Sequence, residues 1–447
     1  MSRNAFEPVV NWSVRLVERW YPDPYVFALL LTGVAFALAL GLTDASPVAT
    51  LDAWGDGLTG LLGFTTQIAL TLVLAHAFAH TDAVQRLLLA IATIPRSEAA
   101  AYFTVVVATG LASLVAWSLG LAAGALLAAA VARAGAERGL ALDYPLLVAS
   151  AYSGFVVWHM GYSGSAPLFV ATPGHTLEAA MGILPVTETI LAPWNLGLAV
   201  IVLGTLGLVC TRMAPAVPSP LAVPHLPEED DDDEAPTTPG ARIERSRWLV
   251  VIAGALVALW LARWFQRGGS LTLDMVNWSF LAAGLLLSRS PLHYVRLVTR
   301  AGGTLGPILL QYPFYAGIMG LMTGTGLVTV CSDFFVTLAS AETLPFWAFL
   351  AGGIVNFFVP SGGGQWVVQG PVFVDAGQAL GTPPALVVMG VAYGDQWSNL
   401  VQPFWTIPLL AIAGLPLRSV LGYCLLTFVV AGALFGGALL VLGFAFA

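Results

Sequence analysis

A short polar, glycine-rich run, Asn356-Phe-Phe-Val-Pro-Ser361-Gly-Gly-Gly-Gln365-Trp366, is stranded between two apolar arms, each too short to cross a bilayer comfortably. Such a run bares backbone N–H groups at membrane depth. Lipid offers them no partner, so irregular backbone survives there only when buried in protein or lining a wet cavity. Interrupted segments of this kind mark transporter binding sites, above all when the other half of the chain carries a counterpart.

Composition agrees. Hydrophobic residues make up 58% of the 447-residue chain and charged residues 9%, against about 25% charged in soluble domains. The expected class is an all-α polytopic membrane protein. Met1–Trp20 is polar and of mixed charge, so it reads as no cleaved secretory signal. Cys210, Cys331 and Cys424 sit in or beside apolar stretches without metal-type spacing and read as packing residues. All seventeen basic residues are arginine and the net charge is −8. That bias points to a GC-rich genome and leaves function open. No nucleic-acid partner is expected.

Apolar stretches near 20 residues long read as spans. They fall at 25–42 and 58–80, then at an interrupted 99–133, a 145–173 broken near 161–167, and a closing 190–213. Residues 214–246 change character: seven prolines flank the acidic run Glu228–Glu234. Such a stretch cannot bury a core and reads as a flexible cytoplasmic linker. Spans resume at 248–265, 276–287 and 305–330. An interrupted 344–376, a 384–412 broken near 394–403 and a closing 420–444 complete the chain.

The halves repeat in order: two spans, an interrupted stretch, a broken span, a closing span. The expected units are a first repeat at 1–213, the linker at 214–246, and a connecting span plus second repeat at 247–447. The interrupted stretches read as re-entrant hairpins. With the N-terminus cytoplasmic and both hairpins non-crossing, only Arg263 and Arg267 fall outside, and the loops 43–57, 176–189 and 331–343 carry acids and no arginine. A hairpin that crossed fully would invert every later loop and spoil this bias. The expectation is about nine full crossings plus two hairpins, in two inverted-topology repeats, in the inner (plasma) membrane, with the C-terminus outside.

Four breaks should then meet mid-bilayer: the tips 117–121 and 360–366, and the unwound segments 161–167 and 394–403. Half-helices starting at a break aim N–H groups and a positive dipole end at the cavity, which suits an anion. Carbonyls at opposite half-helix ends suit a cation. The substrate-binding candidates are Ser163, Gly164, Ser165, Ser361, Gly362, Gly363, Gly364, Gln365, Gln369, Asn399 and Gln402. Their glycines permit close backbone approach and the rest supply uncharged donors. Asp395 is the acid expected deep within a span, and a carboxylate there defaults to a functional role, as proton carrier or sodium ligand. Ser118, Gly120, Asn356 and His159 join it as ion-coupling candidates. Glycine runs also allow tight helix packing, and lone Asn or Gln side chains also bridge helices. Trp117, Trp158, Trp366 and Trp397 flank the breaks and read equally as an acyl pocket or as packing. His76 and His80 have metal-compatible spacing but no third ligand, so no metal and no cofactor beyond a coupling proton or sodium is expected.

At these residues the chain resembles the bacterial short-chain fatty acid transporter family, within a larger ion-transporter superfamily that includes dicarboxylate/sodium symporters. The matching stretches are Arg19-Trp-Tyr-Pro-Asp-Pro24, Trp54-Gly-Asp-Gly57, Ala151-Tyr-Ser-Gly-Phe155, Ser163-Gly-Ser165 with Ala171-Thr-Pro-Gly174, and Gln311-Tyr-Pro-Phe-Tyr-Ala-Gly317. To these add Val359-Pro-Ser-Gly-Gly-Gly364 with Gln369-Gly-Pro371, and Ala392-Tyr-Gly-Asp-Gln-Trp397 with Gln402-Pro-Phe-Trp405. The resemblance implies uptake of short-chain acids such as acetoacetate or butyrate. It also implies a homodimer with a fixed scaffold and a moving, elevator-type transport domain. Sodium-binding superfamily members often carry Ser-Asn-Thr at the hairpin tips. Here the tips read Trp117-Ser-Leu-Gly120 and Ser361-Gly-Gly-Gly364, which leaves both sodium and proton open. The leading expectation is a cation-coupled carboxylate symporter, with an uncoupled anion channel as the alternative. An intramembrane enzyme is not expected, since the chain has no His-Glu zinc motif and no Gly-x-Ser-x-Gly elbow.

Overall fold

The computed structural model describes residues 7–60, 62–175, 177–219, 238–269, 273–303, 305–360 and 362–446. Ser361 and the acidic tract 228–234 lie outside the described residues. Among those described, all regular structure is helical. The first half comprises α1 (Glu7–Trp20), α2 (Pro24–Leu42), α3 (Pro47–Gly57), α4 (Leu62–Ala79), α5 (Asp82–Ala92), α6 (Glu98–Val115), α7 (Trp117–Glu137), α8 (Tyr144–Phe155), α9 (Ser165–Val170), α10 (Glu178–Met181) and α11 (Pro193–Arg212). After α12 (Pro239–Glu244) come α13 (Arg247–Gln266), α14 (Leu273–Leu287), α15 (Pro291–Gly302), α16 (Gly306–Gly324) and α17 (Leu327–Val336). The chain ends with α18 (Leu344–Asn356), α19 (Gly362–Leu380), α20 (Pro384–Ser398), α21 (Pro403–Ala413) and α22 (Leu417–Phe446).

The two interrupted stretches fold back on themselves. A Cβ at Gly120 would collide with Ser113, and one at Gly124 would lie 2.7 Å from Thr109. The arms α6 and α7 therefore run antiparallel at small-residue distance. Arg138, just past α7, donates to the carbonyls of Ala92, Thr93 and Pro95, just before α6. Both ends of this pair thus lie together. In the second pair, Gln365 Nε2 donates to Gly352 O at 2.8 Å across the arms, and Thr382 Oγ1 donates to Ala341 O at 2.8 Å at the base.

The halves interlock. Each first arm lies on the first part of its own broken helix, α6 on α8 and α18 on α20. Each second arm reaches across: α7 packs on α21, and α19 on α9. Around this centre α2, α3 and α16 pack together, α4 lies on α14, and α1 lies along α22.

Several expected boundaries move. Residues 47–57, expected in an outside loop, form α3, capped by Ser46 Oγ accepting from Ala49 N–H. What holds α3 is tertiary: a Cβ at Gly57 would lie 2.8 Å from Ala316 O and from the Gly320 Cα. The expected span 305–330 is bent by 64° between Gly324 and Leu327, where Gly326 takes the left-handed conformation, and α17 runs on into the expected loop 331–343. The first tip lies at Ala116, in extended backbone, one residue before the expected 117–121. Gly362–Gly364 open α19 rather than forming a loop. The second broken helix stays regular through Ser398 and opens at Asn399–Gln402, not at Gly394. Gly394 instead serves close packing, its Cα against Phe349 O and the Gly353 N of α18. Six helices are long and apolar enough to cross a bilayer, and the bent α16–α17 pair makes a seventh, among the described residues.

Candidate functional site

Local sequence explains both breaks. After α8 the chain makes a single tight turn at Trp158–Met160 before α9. Gly161 lies directly on Leu114 O and Gly164 on His159 O, approaches that no side chain would allow. The second break is set by Pro403. A residue before proline is pushed to extended backbone, and Gln402 has φ −93° and ψ 133°. Pro403 then starts α21, where its missing N–H costs nothing.

The breaks and tips meet. Trp117 N–H, at the first tip, donates to Ser163 Oγ at 2.8 Å, and Tyr162 N–H donates to Leu114 O at 2.7 Å. On the other side, a Cβ at Gly363 would lie 3.7 Å from the Ser165 Cβ. Ser163, Ser165, Gly363 and Gly364 are partly exposed, with Gly164 buried between the serines, so this nest opens at the surface of the fold. Gly362 behind it is buried, and a Cβ there would strike His159 Nε2 and lie 3.1 Å from Asp395 Oδ2.

Behind Gly362 is a buried ionisable pair. His159 Nε2 lies 3.5 Å from Asp395 Oδ2, with side-chain exposures of 0% and 2%. That distance suits an ion pair and exceeds a normal hydrogen bond. His159 N–H donates to Gln396 Oε1 at 3.0 Å, and the ring packs 3.6 Å from Trp158. Asp395 Oδ1 accepts from Asn399 Nδ2 at 3.0 Å. Asn356 Nδ2 donates to Asp395 O at 3.0 Å and to Ser398 Oγ at 2.7 Å. Gln402 Nε2 donates to Asn356 O at 2.9 Å. Each amide turns its N–H toward the protein. Asn356 Oδ1, Asn399 Oδ1 and Gln402 Oε1 stay buried without a donor among the described residues, as does Asp395 Oδ2. A lone buried carboxylate is strongly disfavoured unless it is paired or neutralised. The arrangement can hold one proton between two buried groups, and it leaves four buried oxygens without a donor among the described residues.

The remaining expected residues divide. Gln365 and Gln369 do not face the nest. Gln365 donates to Gln369 Oε1 at 2.8 Å, and Gln369 to Ser332 Oγ at 3.1 Å, a brace from α19 to α17. Gly120 sits inside the α6–α7 contact, and Ser118 is buried against α4 and α21 with its hydroxyl unpartnered among the described residues. Of the four tryptophans, Trp117 and Trp158 meet Trp405, at 4.9 and 5.7 Å between rings. Trp397 stacks on Phe428 at 4.3 Å and donates to its carbonyl, so it is a packing residue. Trp366 is buried in a separate apolar cluster with Ala166 and Val170. His76 and His80 stack on each other at 4.1 Å.

Two residues of the site escaped sequence reading. Gln396 lies inside the quoted Ala392–Trp397 stretch, next to Asp395, and only its contact with His159 reveals its part. Asn195 bridges the halves: it donates to Met160 O at 3.0 Å and accepts from Tyr393 OH at 2.6 Å. Its signal was available, as a lone amide in the apolar stretch 190–213.

The profile described as short chain fatty acid transporter matches residues 5–442. A curated protein of Escherichia coli (strain K12), named for short-chain fatty acid transport, is 40% identical over 435 residues, 96% of this chain and 98% of that one. A Haemophilus influenzae protein named likewise is 37% identical over 431 residues, 93% of this chain and 95% of that one. Among solved structures, the YdaH transporter of Alcanivorax borkumensis is similar with a TM-score of 0.42 and 15% identity, covering 95% of this chain and 98% of that one. MtrF of Neisseria gonorrhoeae, described with a class of antimetabolite efflux pumps, follows at a TM-score of 0.38 and 16% identity, covering 96% of each chain. Neither structural likeness, at these scores, bears on the mechanism.

Proposed function

The chain belongs to the short-chain fatty acid transporter family, and from that membership and the site's geometry we propose a proton-coupled, alternating-access symporter for small monocarboxylates such as butyrate or acetoacetate. The observation that carries this reading is the convergence on Gly362 of an open amide-and-hydroxyl nest in front and the buried His159–Asp395 pair behind. The nest, Ser163–Ser165 with the first turn of α19, holds the carboxylate with hydroxyls and N–H groups at a positive helix end. No arginine takes part in these contacts, which suits a monoanion better than a dianion. The pair exchanges one proton. Because substrate and proton share Gly362, loading one changes the field felt by the other.

The wider expectations belong to the same proposal. Both antiparallel pairs have their ends tied together by Arg138 and Thr382, which favours re-entrant hairpins. The reciprocal packing of α7 on α21 and α19 on α9 favours two inverted repeats. An elevator-type transport domain, a homodimer, a cytoplasmic N-terminus and an outside C-terminus in the inner membrane complete the reading.

A second reading, sodium coupling, is favoured by the three unpartnered amide oxygens around Asp395. Purified protein in liposomes separates the two, with pH and sodium gradients imposed singly across acids of about two to six carbons. Inward proton gradients alone should drive butyrate uphill. Asp395→Asn should abolish concentrative uptake and spare exchange. Flux that follows voltage without accumulation would turn the assignment into an anion channel.

A further inference from the structure

Three apolar helices begin around one open groove, away from the nest and the buried pair. α2 starts at Pro24, α16 at Gly306 and α22 at Leu417, and α21 ends beside them at Ala413. The groove has a volume of about 910 Å³. Leu310, Ile407 and Leu410 give it apolar walls, with Gly306 and Arg418 where α16 and α22 begin. Both α2 and α22 are long and apolar enough to cross a bilayer. A groove at their starting ends therefore lies at the membrane edge.

Its rim is cationic. Arg418 is exposed and makes no ion pair among the described residues. Asp23, also on the groove, is engaged as the cap of α2, its Oδ1 accepting from Tyr25 N–H. Arg19 and Trp20 immediately precede this wall in the chain. Trp20 is exposed, and the Arg19 guanidinium lies 5.6 Å from its ring. Tryptophan and arginine at the ends of apolar spans mark the headgroup level of a bilayer. The start of α16 adds N–H groups that no side chain caps. Inside the rim, Gln311 lines the groove at 5% exposure, and its amide makes no hydrogen bond among the described residues.

Cavities of this size take ligands much larger than a short monocarboxylate, which would leave most of the volume empty. The three features together ask for an amphiphile with an anionic head, an acceptor below the head and an apolar tail. We infer that the groove holds one anionic glycerophospholipid from the leaflet on which it opens. The phosphodiester sits on Arg418 and the first N–H groups of α16, where cation and helix dipole both favour an anion. Below it, Gln311 Nε2 donates to an ester carbonyl, and an acyl chain lies along Leu310, Ile407 and Leu410. The occupant is a membrane component that fastens α21 to α16, and it does not enter the transport site. The inference therefore stands whichever solute and coupling ion the chain carries.

The test uses purified full-length protein in detergent, with phosphatidylglycerol or phosphatidylcholine added at equal mole fraction. Native mass spectrometry counts the bound lipid, and the melting temperature is followed beside it. Wild type should retain phosphatidylglycerol in preference and gain melting temperature from it. Arg418→Gln should weaken phosphatidylglycerol about fivefold, the worth of one arginine at an anionic surface, with a smaller effect on phosphatidylcholine. Gln311→Leu should weaken both lipids alike. A Cβ at Gly306 meets open space, so Gly306→Leu should fold, fill the groove and lose both lipids. Leu310→Trp fills the same groove from a half-exposed position. Wild-type retention of phosphatidylglycerol in Arg418→Gln and in both filled variants overturns the site. An equal melting shift from glycerol phosphate overturns the lipid, since the groove would then take a soluble anion. An equal shift from butyrate overturns it too, since the groove would then belong to the solute path.

Discussion

Gly362 and Gly363 are adjacent and chemically identical, yet they face different things. A methyl group at Gly362 would strike His159 Nε2 and crowd Asp395 Oδ2 at 3.1 Å, while one at Gly363 would meet only the Ser165 Cβ at an ordinary 3.7 Å. Gly362→Ala should therefore displace the buried pair, costing about 1–3 kcal/mol by overpacking and eliminating concentrative uptake. Gly363→Ala should fold and melt as wild type. Equal loss of uptake in both variants would mean that the glycines act through backbone freedom and not through space beside His159. The run 361–364 stands out in the sequence as a candidate site because polar backbone at membrane depth has few uses. Which glycine does what is not legible there, because the difference lies in a neighbour 203 residues away along the chain. Asp395 was legible by its charge. His159 was one candidate among several, and its 3.5 Å approach to Asp395 singles it out.

At the scale of elements, α3 shows how a helix can escape a hydropathy reading. Asp52 and Asp56 make 47–57 look like a loop, but Gly57, Gly317 and Gly320 let α3 and α16 approach until backbones touch. Close approach between small residues is a main source of helix association where lipid removes the hydrophobic drive. Gly320→Leu should force α3 away from α16 and lower stability by about 1–3 kcal/mol, read as a reduced melting temperature in detergent. A melting temperature equal to wild type would show that α3 is held elsewhere. The second break teaches the complementary point. Gly394 looked like the place to unwind α20, but its lack of a side chain serves contact with α18. The chain opens at Gln402 because Pro403 follows it.

For the whole molecule, each second arm packs on its own half and also on the broken helix of the other, which ties the halves together. α7 needs α21 and α19 needs α9, while Asn195 of the first half accepts from Tyr393 of the second. Chains divided within 220–237 should therefore co-purify and carry butyrate when co-expressed, and either half expressed singly should fail to accumulate. A stable, monodisperse single half would contradict this interdependence. The order of elements in the two halves reads as a repeat from composition, which alternates in the same sequence twice, and that repeat belongs to the proposal above. The crossing of arms between halves has no one-dimensional signature.

Sequence alone established an all-helical membrane chain, its family, its four weak points and the carboxylate at 395. Hydrophobic run length, glycine, proline and buried charge are local properties, and a bilayer punishes their misuse heavily enough to make them diagnostic. The tertiary structure decided the partners. It set His159 against Asp395 behind Gly362, turned Gln365 and Gln369 inward as a brace, and brought Tyr312 and Tyr315 onto Phe404. Those choices depend on distances between residues far apart in the chain, and only packing of the completed fold specifies them.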